Sequence, residues 1–232
     1  MEYAVPPSPL YTLAVAGRSE RFPVNRIFCV GRNYAAHARE MGRDPNREVP
    51  FFFMKPANAT VAVDSGEVTI PYPSQTSNFH FEVELVVGIV KAGKNICVEQ
   101  ALEHVYGYAV GLDMTRRDVQ LEARDKGRPW EFGKSFSQSA PIGPLHRVSE
   151  VGHLVEATIA LTVNGEHRQS SNVSKLIWSV AESIAYLSEY EALEPGYIIM
   201  TGTPEGVNAV VPGDVMYGTV DGLTPITVRV GA

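Results

Sequence analysis

Short alternating and wholly apolar runs outnumber helical stripes along this chain. The run from Phe79 to Val87 alternates and then turns entirely apolar, which predicts a strand passing from a polar edge into a core. Residues two apart on a strand share a face, so His80, Glu82 and Glu84 are expected to project one way and Phe81, Val83 and Leu85 the other. Tyr106 to Leu112 predicts a second buried strand, closed by Asp113. Further strands are expected at Ile27 to Val30, Pro50 to Pro56 and Ile198 to Met200, with a hairpin or meander over Asp64 to Pro73. Ala157 to Val163, the turn Asn164-Gly165, and Glu166 to Ser170 give a strong hairpin signal, because Asn-Gly accepts the positive φ angles of a two-residue turn. Two short strands with Gly/Pro turns complete the chain.

Helical spacing is clearest from Lys175 to Tyr190, where Leu176, Ile177, Val180, Ile184 and Leu187 form one stripe. A short helix is expected between Asn33 as N-cap and Gly42 just past its end. Val98 to His104 and Thr115 to Asp125 predict two more, the latter broken by Gly127-Arg128-Pro129-Trp130. The strands do not alternate regularly with helices, which argues against a doubly wound sheet. The expectation is a β-rich α+β catalytic domain over residues 21–232. Residues 1–20, with Pro6-Pro7-Ser8-Pro9, read as an extended arm carrying an edge strand at Tyr11 to Val15.

Composition narrows the function. The 232 residues are 44% hydrophobic, enough for one large domain. A net charge of −6 without a dense Lys/Arg run argues against nucleic acid or an anionic membrane as partner. No apolar stretch reaches the length of a membrane span, and no basic segment leads into an apolar one at the start, so neither a membrane segment nor a signal peptide is expected. Cys29 and Cys97 lack metal-type spacing and suit a reduced, cytoplasmic protein.

Two carboxylates side by side on a strand face repel unless something positive lies between them. Glu82, Glu84 and Asp113, with no soft ligand nearby, suit a hard cation such as Mg²⁺, Mn²⁺ or Ca²⁺. The plainer alternative is a solvated acidic face and a helix cap. If a helix starts at Met114, then Asp113, Arg117 and Gln120 fall on one stripe, an arrangement suited to a small anionic, oxygen-rich ligand. His37 and Glu40 would be neighbours on a helix face, as many surface pairs are. Lys134, between apolar residues, either snorkels to solvent or enters a pocket. There is no phosphate-binding Gly-rich loop and no G-x-S-x-G elbow.

Several ordered stretches together resemble the fumarylacetoacetate hydrolase family: Gly31-Arg32-Asn33-Tyr34, Pro50 to Pro56, Glu82-Val83-Glu84-Leu85, Gly111 to Gln120, Lys134, Ala140 to Pro144 and Thr201-Gly202-Thr203-Pro204. The resemblance is strongest to members acting on fumarylpyruvate in gentisate-type aromatic breakdown. It implies a mixed β-sandwich roll, usually homodimeric. It also implies Mg²⁺ or Mn²⁺ on Glu82, Glu84 and Asp113, and a His37–Glu40 acid–base dyad on a segment that closes over substrate. Arg117, Gln120, Lys134 and Thr203 would contact a small 2-oxo acid. His80 is expected behind the ligands or at the strand entry. The run Ser135-Phe136-Ser137-Gln138-Ser139 departs from the family's usual Phe-Asp-Thr-Phe-like sequence and bears on the choice of substrate. The implied reaction is metal-dependent hydrolysis of the C–C bond of an acylpyruvate. The rivals are decarboxylation or isomerisation of a 2-oxo acid at the same site, and non-catalytic binding of diacids.

Overall fold

The computed structural model describes residues 2–42 and 48–232. In chain order its first strands and helix are β1 Thr12–Ala14, β2 Arg21–Pro23, β3 Arg26–Gly31, α1 Ala35–Glu40, β4 Phe51–Pro56, β5 Thr60–Ala62 and β6 Glu67–Ile70. The middle third holds β7 Phe79–His80, β8 Val83–Ile89, α2 Val98–Ala101, β9 Val105–Leu112, β10 Thr115–Arg116, α3 Arg117–Asp125, α4 Glu131–Lys134 and β11 Ala140–Ile142. The remainder is β12 His146–Arg147, α5 Val148–Val151, β13 Thr158–Val163, β14 Glu166–Asn172, α6 Val180–Tyr190, β15 Tyr197–Met200, β16 Ala209–Val210, β17 Val215–Val220 and β18 Ile226–Val230. The expected β-rich α+β architecture is what the chain adopts.

An eight-stranded mixed sheet runs in the order β4–β3–β15–β8–β9–β11–β5, with β12 also on β9. A five-stranded sheet, β14–β13–β17–β18–β6, packs against it. Alternation along β8 divides the interior. Val83, Leu85 and Val87 enter a large core shared with Ile159, Leu161, Met216 and Val228 of the second sheet. Val86 points the other way, into a smaller core with Ile27, Cys29, Ala109, Ile142 and Met200. Glu84 shares the face of Val86, so the carboxylates stand at the end of this smaller core. The parallel pairing of β3 with β15 sets the turn after Gly31 beside the turn after Met200. Within the first twenty residues, β1 pairs with β2 and buries Leu13.

Local competition moved several expected elements. The single strand over Phe79 to Val87 is two: β7 joins β10 and β16 in a small sheet, and the main-sheet strand begins only at Val83. The break falls at Phe81 and Glu82, and just beyond it Gln169 Oε1 accepts from the Val83 N–H at 3.0 Å. His80 therefore does not continue the line of Glu82 and Glu84. Its Nε2 meets Asn78 Oδ1 at 2.8 Å. Asp64 to Pro73 forms no hairpin; the Ser65-Gly66 bend precedes a single strand, β6, paired parallel to β18. Thr115 and Arg116 pair with β7, so the helix expected from Thr115 starts at Arg117. The late helix starts at Val180 rather than Lys175, because Ser179 and Glu182 form a reciprocal capping box. No helix among the described residues is long and apolar enough to cross a membrane.

Candidate active site

Glu82 occupies the corner between β7 and β8, Glu84 is the second residue of β8, and Asp113 follows β9 directly. The antiparallel register sets Val83 opposite Leu112 and Glu84 opposite Gly111. The Asp113 N–H donates to the Glu82 carbonyl at 2.9 Å and closes the corner. One carboxylate oxygen from each of Glu82, Glu84 and Asp113 lies within 4.8 Å of the others, and all three side chains are buried. The donor set is wholly oxygen. Cys29 is near enough to feel Asp113, but burial first and that carboxylate second keep its thiol protonated. Such a set fits a hard divalent cation.

Three buried carboxylates this close need compensation, and three buried cations supply it. Lys134 Nζ donates to Glu82 Oε2 at 2.8 Å, Asp113 Oδ2 at 2.7 Å and Thr115 Oγ1 at 2.7 Å. Arg117 pairs with the other oxygen of Glu82 and donates to Gln120 Oε1 at 2.5 Å. Lys55 Nζ lies 2.9 Å from Asp113 Oδ1 and donates to Ser139 Oγ at 2.9 Å. Burial alone would raise the Glu82 carboxyl, but Lys134 and Arg117 outweigh it and hold it far below the ordinary range. Glu84 goes the other way: burial, then Asp113 and Glu82, push it well up. Lys134 would be lowered by burial, yet Asp113 and Glu82 raise it.

Lys55 was not among the candidates drawn from the sequence, although the signal was there. Phe51, Phe53 and Lys55 alternate on one face of β4, so the lysine points wherever the two rings point. Gln169 was missed as well. Its Nε2 donates to Thr203 Oγ1 and to the Pro204 carbonyl, both at 2.8 Å, and fixes the turn after β15. Nothing in the alternation of β14 marks that residue as different from its neighbours.

The segment after Gly31 folds over the carboxylates. Asn33 does not cap α1; Tyr34 holds the N-cap position without a side-chain bond. The Asn33 side chain instead donates to the Trp178 and Thr201 carbonyls at 2.8 Å each, and accepts from the Trp178 N–H at 2.7 Å. It ties α1 to the turn after β15. Within that turn Gly202 has φ +99°, and a Cβ there would lie 2.7 Å from Asn33 Cβ. The freed N–H donates to Glu84 Oε2 at 2.6 Å. His37 Nδ1 meets Glu40 Oε2 at 3.1 Å, and Glu40 Oε1 accepts from the Gly206 N–H at 3.0 Å. Burial would raise the Glu40 carboxyl, but those two bonds lower it.

One pocket gathers these groups. His37, Glu82, Glu84, Asp113, Arg117, Gln120, Lys134 and Thr203 all line it, and Glu40 stands behind His37. Burial and then Arg117 push the His80 imidazole down to about 4, and it does not line the pocket.

Residues 26–231 match the fumarylacetoacetate (FAA) hydrolase C-terminal family, and the chain belongs to that family. It is 52% identical over 194 residues to a fumarylpyruvate hydrolase of Ralstonia sp., covering 82% of this chain and 98% of that one. A mitochondrial oxaloacetate tautomerase of Homo sapiens is 40% identical over 204 residues, with 88% and 90% covered. Among solved structures, the fumarylpyruvate hydrolase of Pseudomonas aeruginosa in complex with Mn²⁺ and pyruvate superimposes with a TM-score of 0.98 at 56% identity, over 99% of each chain.

Proposed function

We propose that this chain is a divalent-metal-dependent hydrolase of acylpyruvates, cleaving the C3–C4 bond of fumarylpyruvate to give fumarate and pyruvate. The observation that carries the reading is one pocket holding both a buried three-carboxylate cluster and a carboxylate-oriented histidine. Glu82, Glu84 and Asp113 would hold Mg²⁺ or Mn²⁺, which would supply Lewis-acid stabilisation of negative charge on the 2-oxo oxygen.

The residues of the chain do the rest. Glu40 fixes the His37 tautomer, leaving Nε2 to take a proton from the attacking water. Hydroxide adds to C4, the C3–C4 bond breaks, and the electron pair stays on the pyruvate fragment as its enolate. The Lys134 ammonium places positive charge beside that fragment and gives a proton to C3; His37 then releases the water's proton to solvent and Lys134 takes one up, which restores both groups. Arg117, Gln120 and Thr203 orient the oxygens of the 2-oxo acid. The sum is acylpyruvate plus water giving a carboxylic acid and pyruvate.

The tautomerase relative favours a second reading, enolisation or decarboxylation of a 2-oxo diacid at the same cluster, which needs no hydrolytic water. Loss of ultraviolet absorbance across a panel of acylpyruvates, with pyruvate quantified with and without Mg²⁺, tests the first. Absence of stoichiometric pyruvate would give way to the second. We further propose one catalytic domain over residues 21–232 behind a short arm, supported by the family match over 26–231. A cytoplasmic homodimer is proposed too. The free Cys29 and Cys97 support the compartment, and the exposed Phe132 and Tyr190 are apolar area a second copy could cover. Light scattering checks the oligomer.

A further inference from the structure

Two buried polar atoms beside the pocket stand without a hydrogen-bond partner among the described residues, Arg117 Nε and His80 Nδ1. They are of opposite kind. An arginine Nε–H can only donate. The His80 Nε2–H donates to Asn78 Oδ1 at 2.8 Å, so Nδ1 keeps its lone pair and can only accept. A buried donor and a buried acceptor left unpaired each cost the free energy of their lost hydration. The outer nitrogens of the same guanidinium are already engaged, one with Glu82 Oε1 and the other with Gln120 Oε1 at 2.5 Å.

The register of the small sheet brings the two atoms to one place. Thr115 lies opposite His80 and Arg116 opposite Phe79, and the Arg117 N–H donates to the Asn78 carbonyl at 2.8 Å. Thr115 and Arg117 therefore rise from the same face as His80 and Asn78, with Arg117 diagonally across the ladder from His80. Side chains on such a diagonal reach one another when one of them is long. That face is turned to the pocket, since Thr115 Oγ1 accepts from Lys134 Nζ at 2.7 Å. The charges agree with the register. Of those around the His80 imidazole, Arg117 acts on it most strongly, ahead of Glu82, Lys134 and Glu40.

We infer that His80 is a positioning residue for Arg117, its Nδ1 lone pair holding the Arg117 Nε–H through one buried water. That water would accept from Nε–H and donate to Nδ1, which satisfies both atoms at once. With Glu82 and Gln120 on the outer nitrogens, this further contact would fix the guanidinium plane. It would also fix the direction in which the remaining N–H groups face a substrate oxygen. His80 itself would touch neither substrate nor metal. What Arg117 binds rests on the acylpyruvate reading above; the contact with His80 does not.

The test separates the two ring nitrogens. An asparagine side chain carries its oxygen near the place of Nδ1, whereas a glutamine carries its amide nitrogen near the place of Nε2. His80→Asn therefore keeps the acceptor, and His80→Gln keeps only the donor to Asn78. The first readout is solvent exchange of the Arg117 Nε–H in isotope-labelled, Mg²⁺-loaded protein, its signal assigned by loss in Arg117→Lys. Exchange should be at least about tenfold faster in His80→Gln and within about threefold of wild type in His80→Asn. The second readout is turnover of fumarylpyruvate. KM should rise about 3- to 10-fold in His80→Gln with kcat within about twofold, and His80→Asn should recover most of that loss. In the wild type, cross-relaxation between water and the Arg117 Nε–H should detect the bridging molecule directly, which keeps the test decisive should a melting curve show either variant unfolded. A packing role alone would rank the variants by size, with asparagine worse than glutamine. That order, equal exchange in every protein, or no water contact at the wild-type Nε–H overturns the assignment of His80. A wild-type protein that releases no pyruvate overturns the hydrolase reading alone, because exchange and water contact need no turnover.

Discussion

The floor and the roof of the pocket are built on opposite principles. The floor, Glu82, Glu84 and Asp113, comes from two central strands of the main sheet, is buried, and has each charge answered by a lysine, an arginine or a backbone N–H. The roof is α1, six residues without a side-chain cap, held by the Asn33 bridge and the Glu40–Gly206 bond. A helix that short does not stand alone in water. By contrast, α6 has eleven residues, a capping box, and Ile184 and Leu187 in the core. The difference separates a cluster of like charges locked into the sheet from a short helix held over it by a few side-chain bonds.

The largest effect should come from breaking the floor. Asp113→Ala should remove detectable pyruvate release. Because Lys55 and Lys134 then lose a buried partner, it should also cost about 3–5 kcal/mol of stability, read by urea unfolding. A fully active or unshifted variant would break the picture of a charge-locked floor. Breaking the roof should be subtler in stability and still severe in rate. His37→Ala should slow hydrolysis by about 10²- to 10⁴-fold, with metal affinity by calorimetry unchanged and C3-proton exchange of 2-oxo acids falling much less. Equal losses in hydrolysis and exchange would assign the dyad to enolisation.

Arg117 pairs with the floor and lines the pocket. Arg117→Met should lower kcat/KM by about 10- to 100-fold, and an unchanged value would confine Arg117 to holding Glu82. For the control helix, Ser179→Ala should cost about 1 kcal/mol of stability with kcat untouched. The smallest effect concerns pH. The Glu84 carboxyl of the metal-free protein sits above its unfolded range, so the folded state holds a proton that the unfolded state releases. Stability should therefore fall as pH rises from the ordinary glutamate range towards the raised value. Glu84→Gln should flatten that slope in melting curves of chelator-treated protein.

Part of the floor could be read along the chain, because strand alternation set Glu82 and Glu84 on one face, and the Asn164-Gly165 turn marked its hairpin; a His37–Glu40 pair over the carboxylates was implied only by the family resemblance. What could not be read was decided by partners far away in sequence. Asn33 looks like an N-cap until Trp178 and Thr201 claim its amide. The strand from Phe79 is unbroken in pattern but divides because its first two residues pair with β10 and β16 in a separate small sheet. Lys55 ends an apolar strand like many surface lysines, and only the arrival of Asp113 and Ser139 turns it inward.

The parallel pairing of β3 with β15 has a consequence in time. Asn33 and Thr201, the two sides of the turn that aims Glu84, are 168 residues apart, and no hairpin can bring them together. Parallel contacts of such long range form late, since the entropy of closing the loop is lost before any contact returns it. On the ribosome, β3 must wait beside its antiparallel neighbour β4, one edge unpaired, until nearly the whole chain has been made. The acidic cluster gains its last backbone donor only at that moment, so the birth of the site and the completion of the sheet are one kinetic event.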